Sequence, residues 1–275
     1  MSEIKDTCCA EREPKMKIHT FNKNSMGQNI YLCHCEETNE GILIDAGCNT
    51  ADENAIMALI HENSIIIKAI LLTHGHYDHI TAAARLKSLT NAEIYSHVSE
   101  KQLLENPELN LSCLIRREIS VTPDKLLNDG DVFHFGNISL KVLHTPGHTP
   151  GGVCYYYKKT AVPLSEGSES GIQSCCSGGV YTDEVGDAKH RAPRPVSVAY
   201  ERAWGRAPLD SSLFSGDTLF KGSIGRTDFP LSDHDKMMRN ISAKLLTLPD
   251  ETVVYPGHGD STSIGREKKS NPFLR

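Results

Sequence analysis

The stretch IIIKAILLTHGHYDHI, residues 65–80, sets an apolar run directly before three histidines and an aspartate within six positions. Its Ile-rich beginning reads as a strand buried on both faces, as in the middle of a parallel sheet. Polar side chains crowded at the mouth of such a strand are costly to bury unless something neutralises them, and a metal ion converts that cost into binding. His74 and His76, one residue apart, can both turn toward a single point, and imidazole is the commonest nitrogen ligand for zinc or iron. Asp78 and His79 offer a carboxylate and another imidazole to a second ion. Neither Gly75 nor Tyr77 competes for a metal, and glycine lets the backbone turn sharply.

Outward from this motif, helical and strand periods alternate. Toward the N-terminus, IHTF (18–21), NIYLCHC (29–35) and GILIDAG (41–47) read as short strands, the last ending in Asp45 and Gly47. ENAIMALIHEN (53–63) has apolar residues at helical spacing. After the motif come a second helix in ITAAARLKSLT (80–90) and a strand in AEIYSH (92–97). DGDVFHFGNISLKVLHTPGH (129–148) reads as a glycine-turned hairpin, GGVCYYYKK (151–159) and SSLFSGD (211–217) as strands, and HDKMMRNISAKLLTL (234–248) as an amphipathic helix. A last strand and turn, TVVYPGHG (252–259), precedes a polar tail. The alternation predicts an α/β layered domain. Residues 1–15 read as a flexible leader and 16–275 as one domain, interrupted at about 159–211 by a Ser-, Gly- and Pro-rich insertion that contains Trp204. If the flanking strands run away from and back to the polar loops, that insertion is attached at the opposite end of the sheet.

Three further ligand-type residues lie at predicted strand ends, in loops held by Gly or Pro: His148 in HTPGHTPGG, Asp217 in FSGDTLF and His258 in YPGHGD. With the first motif they supply five histidines and two aspartates, enough for two ions that share one carboxylate. Two metals about 3.5–4 Å apart can ionise a water between them and polarise the group it attacks.

The order THGHYDH, TPGHTPG, SGDTLF, PGHG resembles that of the metallo-β-lactamase superfamily, which implies a four-layer αβ/βα sandwich with its loops at one sheet edge. GDTLFKGSIGRTDFP and the ending PGHGDSTSIGREKKSNPFLR are similar to the single-domain type II glyoxalase, or hydroxyacylglutathione hydrolase-like, proteins. The resemblance implies one metal on His74, His76 and His148, a second on Asp78, His79 and His258, and Asp217 as the bridge. It further implies two Zn2+, with iron or manganese as alternatives, and attack of a bridging hydroxide on a thioester carbonyl, with Asp78 orienting the hydroxide and taking part in proton transfer. Arg226 falls where relatives carry a basic substrate-binding residue; an ion pair with Asp228 is the other reading of that side chain. His97, His134 and His144 read as supporting or surface groups, while His19, His34, His61, His190 and His234 show no convergent partner.

The totals narrow the alternatives. A net charge of −6 offers no basic field for nucleic acid. No apolar run approaches the ~20 residues needed to span a bilayer, and the first residues lack the apolar middle of a secretory signal, which predicts a cytoplasmic protein without a membrane partner. Nine cysteines without paired spacing read as free thiols. The expected partner is a small-molecule thioester. Competing functions are a mononuclear iron persulfide dioxygenase of the same superfamily, a phosphodiesterase or RNase, and a non-catalytic metal-binding interaction module.

Overall fold

The computed structural model describes residues 15–22, 24, 26–159 and 210–275. The expectations for residues 1–14, for the body of the insertion, for Trp204 and for His190 lie outside the described residues.

Two six-stranded sheets form the centre of the molecule. The first runs in chain order: β1 (Met16–Phe21), β2 (Ile30–Cys35), β3 (Glu40–Ile44), β4 (Ile66–Leu71), β5 (Glu93–His97) and β6 (Lys125–Leu127). Hairpins make β1 to β3 antiparallel, and crossovers make β3 to β6 parallel. Helix α1 (Thr50–Glu62) forms the β3–β4 crossover, and α2 (Tyr77–Ile80) with α3 (Ala83–Thr90) forms the next. A short α4 (Lys101–Glu105) follows β5. The second sheet contains β7 (Val132–Phe135), β8 (Ile138–His144), β9 (Val153–Lys158), β10 (Ser211–Gly216), β13 (Val253–Pro256) and β14 (Thr262–Ser263), with β10 and β13 parallel. A small hairpin, β11 (Leu219–Phe220) with β12 (Ser223–Ile224), sits between β10 and α5 (His234–Asn240), and α6 (Ile264–Ser270) follows β14.

The layering follows from strand alternation. On β3, Ile42 and Ile44 point between the sheets while Leu43 points to the helical side. On β9, Val153 and Tyr155 fill the inter-sheet core and Cys154 faces the opposite layer. One outer core joins the first sheet to Ile56 and Ile60 of α1 and Leu86 of α3; the other joins Leu213 and Val254 to Met237, Ile241 and Ile264. The architecture is the helix–sheet–sheet–helix sandwich expected from the sequence. β4 is buried at Ile67 and from Ala69 to Leu71, but not on both faces throughout: Ile66 is exposed and Lys68 turns outward to pair with Glu40 at 3.3 Å.

Three local expectations need correction. The helix expected over 80–90 is two pieces, because its first turn already begins at Tyr77. The amphipathic segment after His234 continues from α5 into a π turn, Ile241–Leu245. The polar tail is structured: Ser263 caps α6 by accepting from the Arg266 amide, and Ile264 is fully buried.

Lys158 pairs with Ser211, and the Lys159 amide donates to the Asp210 carbonyl at 2.8 Å. The chain therefore leaves and re-enters the sheet at the end away from Val153 and Gly216.

Phe214, fully buried between the sheets against Tyr31 and Tyr255, tests this core. Phe214→Ala is expected to cost roughly 3–5 kcal/mol, read as a lowered urea midpoint.

Candidate metal centre

The loops that follow β4, β8, β10 and β13 gather all seven candidate ligands. Ligand atoms of His74, His76 and His148 lie within 4.8 Å of one another, as do those of Asp78, His79 and His258, and those of His74, His79 and Asp217. Backbone conformation separates the first motif into its parts. His76 is extended (φ −64°, ψ 147°) at the cap of α2, whereas Asp78 and His79 lie inside that helix. Asp217 lies between the groups: its Oδ2 is 3.7 Å from Nε2 of both His148 and His258, and its Oδ1 is 3.4 Å from His79 Nε2. Asp78 Oδ2 is 3.2 Å from His258 Nε2. His258 is the most open of the seven, at 29% side-chain exposure.

Three of the imidazoles are oriented through their other nitrogen, which fixes the tautomer. His79 Nδ1 donates to Asp45 at 2.8 Å. The Thr73 hydroxyl donates to the same carboxylate at 2.9 Å, which leaves its oxygen to accept from His74 Nδ1 at 3.1 Å. His148 Nδ1 donates to the Arg226 carbonyl at 2.7 Å. His74, His79 and His148 therefore all direct Nε2 at the centre.

The loops are also tied to one another. Glu100, fully buried, accepts from the Gly75 amide at 2.9 Å and the Gly151 amide at 2.6 Å, joining the His74–His76 loop to the His148 loop. Asn29 Nδ2 donates to the carbonyls of Pro256 and Gly259 at 3.0 and 2.8 Å, bracketing His258, and Tyr31 Oη adds a 2.6 Å bond to Pro256. Gly257 allows another close approach: a Cβ there would lie 2.2 Å from Asp217 Oδ1 and 2.7 Å from His79 Cε1.

Sequence reading passed over these supporting groups. Asp45 carried a usable signal, a carboxylate at a strand end before glycine, the pattern shared by the candidate ligands. It also holds a left-handed backbone (φ +59°), which Asp tolerates better than most residues. Glu100 and Asn29 carried none, because their roles exist only once the loops meet. The remaining histidines are less isolated than expected. His19 and His34 face each other at 3.4 Å, and His234 pairs with Thr227 at 3.2 Å. His97 and His144 stack at 3.8 Å, and His144 bonds the Pro150 carbonyl beside the His148 loop. Of the two readings of Arg226, the structure contains the ion pair. Its guanidinium holds Asp228 through two bonds of 2.9 and 2.7 Å and lies 4.2 Å over Phe229, whose edge abuts His76.

The electrostatics suit divalent cations. Burial, reinforced by neighbouring histidines, holds His74 well below the usual imidazole range and His76 at about 3, and burial also lowers His148, so these rings keep their lone pairs. Burial pulls His79 down as well, but Asp217, Asp45 and Asp78 more than offset it and raise the ring well above its ordinary value. That carboxylate cluster demands a positive charge, which a proton or a metal can supply. His74 Nε2, His76 Nε2 and Asp217 Oδ1 are buried without hydrogen-bond partners, an arrangement that costs about 1–3 kcal/mol per group unless a ligand takes them up. An all-nitrogen-and-carboxylate donor set fits zinc, iron or manganese.

The sequence profile of the metallo-beta-lactamase superfamily matches residues 26–162 and 203–258. The chain belongs to the metallo-beta-lactamase superfamily. Most members are metal-dependent hydrolases that bind divalent metals. The hydroxyacylglutathione hydrolase GloC of Haemophilus influenzae is 31% identical over 94% of this chain and 98% of its own. Among solved structures, the BLEG-1 B3 metallo-beta-lactamase is 31% identical with a TM-score of 0.69, covering 94% of this chain and 99% of that one. TTHA1623, solved in a di-iron-bound form, is 29% identical with a TM-score of 0.64 over 93% and 100%. Relatives thus share the whole domain and not a fragment of it.

Two outcomes follow. Asp45→Asn is expected to weaken metal binding about 10–100-fold, measured by competition with a chromogenic chelator, since it disturbs His79 and His74 together. Burial pushes the Glu100 carboxyl from 4.5 to about 7, against the pull of the Gly75 and Gly151 amides. With the folded value raised, its stabilising contribution is complete below pH 4.5, declines as pH rises, and is gone above about 7. Glu100→Gln removes that slope. Urea unfolding of the chelator-treated proteins should show wild type losing stability relative to the variant across this window.

Proposed function

We propose that the protein hydrolyses acyl thioesters such as S-lactoylglutathione at a binuclear centre, with zinc as the first choice of metal. The observation that carries this reading is the second donor group: Asp78, His79 and His258 stand together beside the first triad, with Asp217 within 4 Å of histidines from both. A one-metal reading leaves that group without an ion. The likeness to a hydroxyacylglutathione hydrolase over nearly its full length supports thioester chemistry.

In this reading His74, His76 and His148 would hold one ion and Asp78, His79 and His258 the other, with Asp217 available to both. Two such ions, when bound, supply a water ionised at neutral pH and polarise the carbonyl. Asp78 then orients the attacking water and accepts its proton. Phe229, edge-on to His76 and His148, walls one side against solvent. Water adds to the acyl carbon, the C–S bond breaks, and the products are a carboxylate and a thiol. The thiolate is a good enough leaving group that no strong acid is needed beside it. No helix among the described residues is long and apolar enough to cross a membrane. The substrate we propose is a small molecule, and the compartment we propose is the cytoplasm.

The B3 metallo-beta-lactamase likeness favours a second reading, opening of a cyclic amide. The likeness to ETHE1 of Myxococcus xanthus, at 24% identity, extends to the fold alone.

Purified, metal-quantified protein is expected to carry about two ions per chain and to hydrolyse S-lactoylglutathione. Activity should vanish with chelator and return with zinc, and His258→Ala should lower kcat/KM at least about 100-fold while losing one of the two ions. Turnover of nitrocefin without thioesterase activity would favour the second reading. One iron per chain, with sulfite formed from glutathione persulfide, would sink both.

A further inference from the structure

On the open side of His258 lies a solvent-open cavity of about 680 Å³, lined among others by Phe220, Lys221, His258, Asp260, Arg266 and Ser270. That volume lies within the ~300–1,000 Å³ of small-molecule sites. The cavity is continuous with the donor groups through His258 itself, and the Phe220 ring stands 6.4 Å from that imidazole, an apolar wall on the way in.

Its charge is uneven. Lys221 is paired with Asp260 at 2.7 Å, but the partners are 33% and 72% exposed, and a surface pair of this kind is weak and exchangeable. Arg266 is less engaged. Among the described residues its ion pair is with Glu267, at 4.0 Å, and Glu267 is already saturated by Thr262, the Gly222 amide and Asn271. The side chain is 59% exposed, so a planar fork suited to carboxylate stands at the cavity with its donors largely unspent. Arg226, by contrast, has its guanidinium spent on Asp228.

We propose that this cavity receives the thiol-side arm of the substrate, that the arm carries a carboxylate, and that Arg266 and Lys221 bind it. The inference rests on the thioesterase reading for the direction of the arm: the leaving group must depart on the open side of the centre, and His258 is the most exposed candidate ligand. Asp260 acts against the ligand, since it competes for Lys221.

The test compares three acetyl thioesters that share one acyl group: S-acetylglutathione, acetyl-CoA and the neutral N-acetylcysteamine ester. Arg266→Ala and Lys221→Ala should each raise KM for S-acetylglutathione about ten-fold relative to the neutral ester, the value of one charge-assisted contact. Asp260→Asn should move that ratio the other way, a sign that general loss of structure would not produce. Calorimetry with S-methylglutathione, which is not hydrolysed, should show the same order of affinities. A KM ratio unmoved by any of the three substitutions overturns the proposal and leaves the hydrolase reading intact. A shift confined to acetyl-CoA overturns the carboxylate assignment in favour of phosphate. Absence of hydrolysis with all three esters, while S-methylglutathione binding still depends on Arg266, overturns the hydrolase reading and keeps the anion site.

Discussion

Five imidazoles converge with two carboxylates at one sheet edge, and three of the rings, His74, His79 and His148, are held there because their far nitrogens are answered. The Asp45 carboxylate is the hub of that constraint. It takes the proton of His79 directly and that of His74 through the Thr73 hydroxyl, so a single buried charge sets the tautomers of residues in both donor groups. The Arg226 carbonyl does the same for His148. Hydrogen bonding thereby decides which nitrogens face inward, and burial keeps three of the rings unprotonated and ready to donate.

Around this hub the loops are bound mainly through main-chain atoms. Glu100 holds amides of two ligand loops, and Asn29 and Tyr31 hold carbonyls on both sides of His258. Main-chain partners tolerate variation in neighbouring side chains. The sandwich supplies the platform, since β4, β8, β10 and β13 all deliver their following loops to one edge, and the inter-sheet core fixes the distance between the two halves of the site.

Much of this was legible in the sequence, for identifiable reasons. The run 65–72 announced a largely buried strand by composition, and the ligand-type residues stood at strand ends in Gly- and Pro-marked turns, so an α/β layered domain and the candidate ligands could be read from local pattern, while the four-layer sandwich came from the family resemblance. Partners distant in the chain were not legible. Glu100 lies in a short helical stretch with no periodic mark, and its task depends on glycines 25 and 51 positions away. The tail was misjudged because its polarity hides one buried isoleucine and a serine cap. The helix at 80–90 was misplaced at its start because candidate ligand residues 78 and 79 lie in a separate short helix, 77–80, and the longer one begins only at Ala83.

Gly257 carries one more consequence. With no side chain there, the Asp217 and His258 loops meet backbone to backbone, and the Gly257 amide donates to the Gly216 carbonyl at 2.8 Å. No rotatable side-chain bond intervenes at that contact. The separation of the two loops' backbones is therefore a dimension of the peptide framework, and it inherits the framework's stiffness: the Cα positions from which Asp217 and His258 reach inward can be changed only by moving strands.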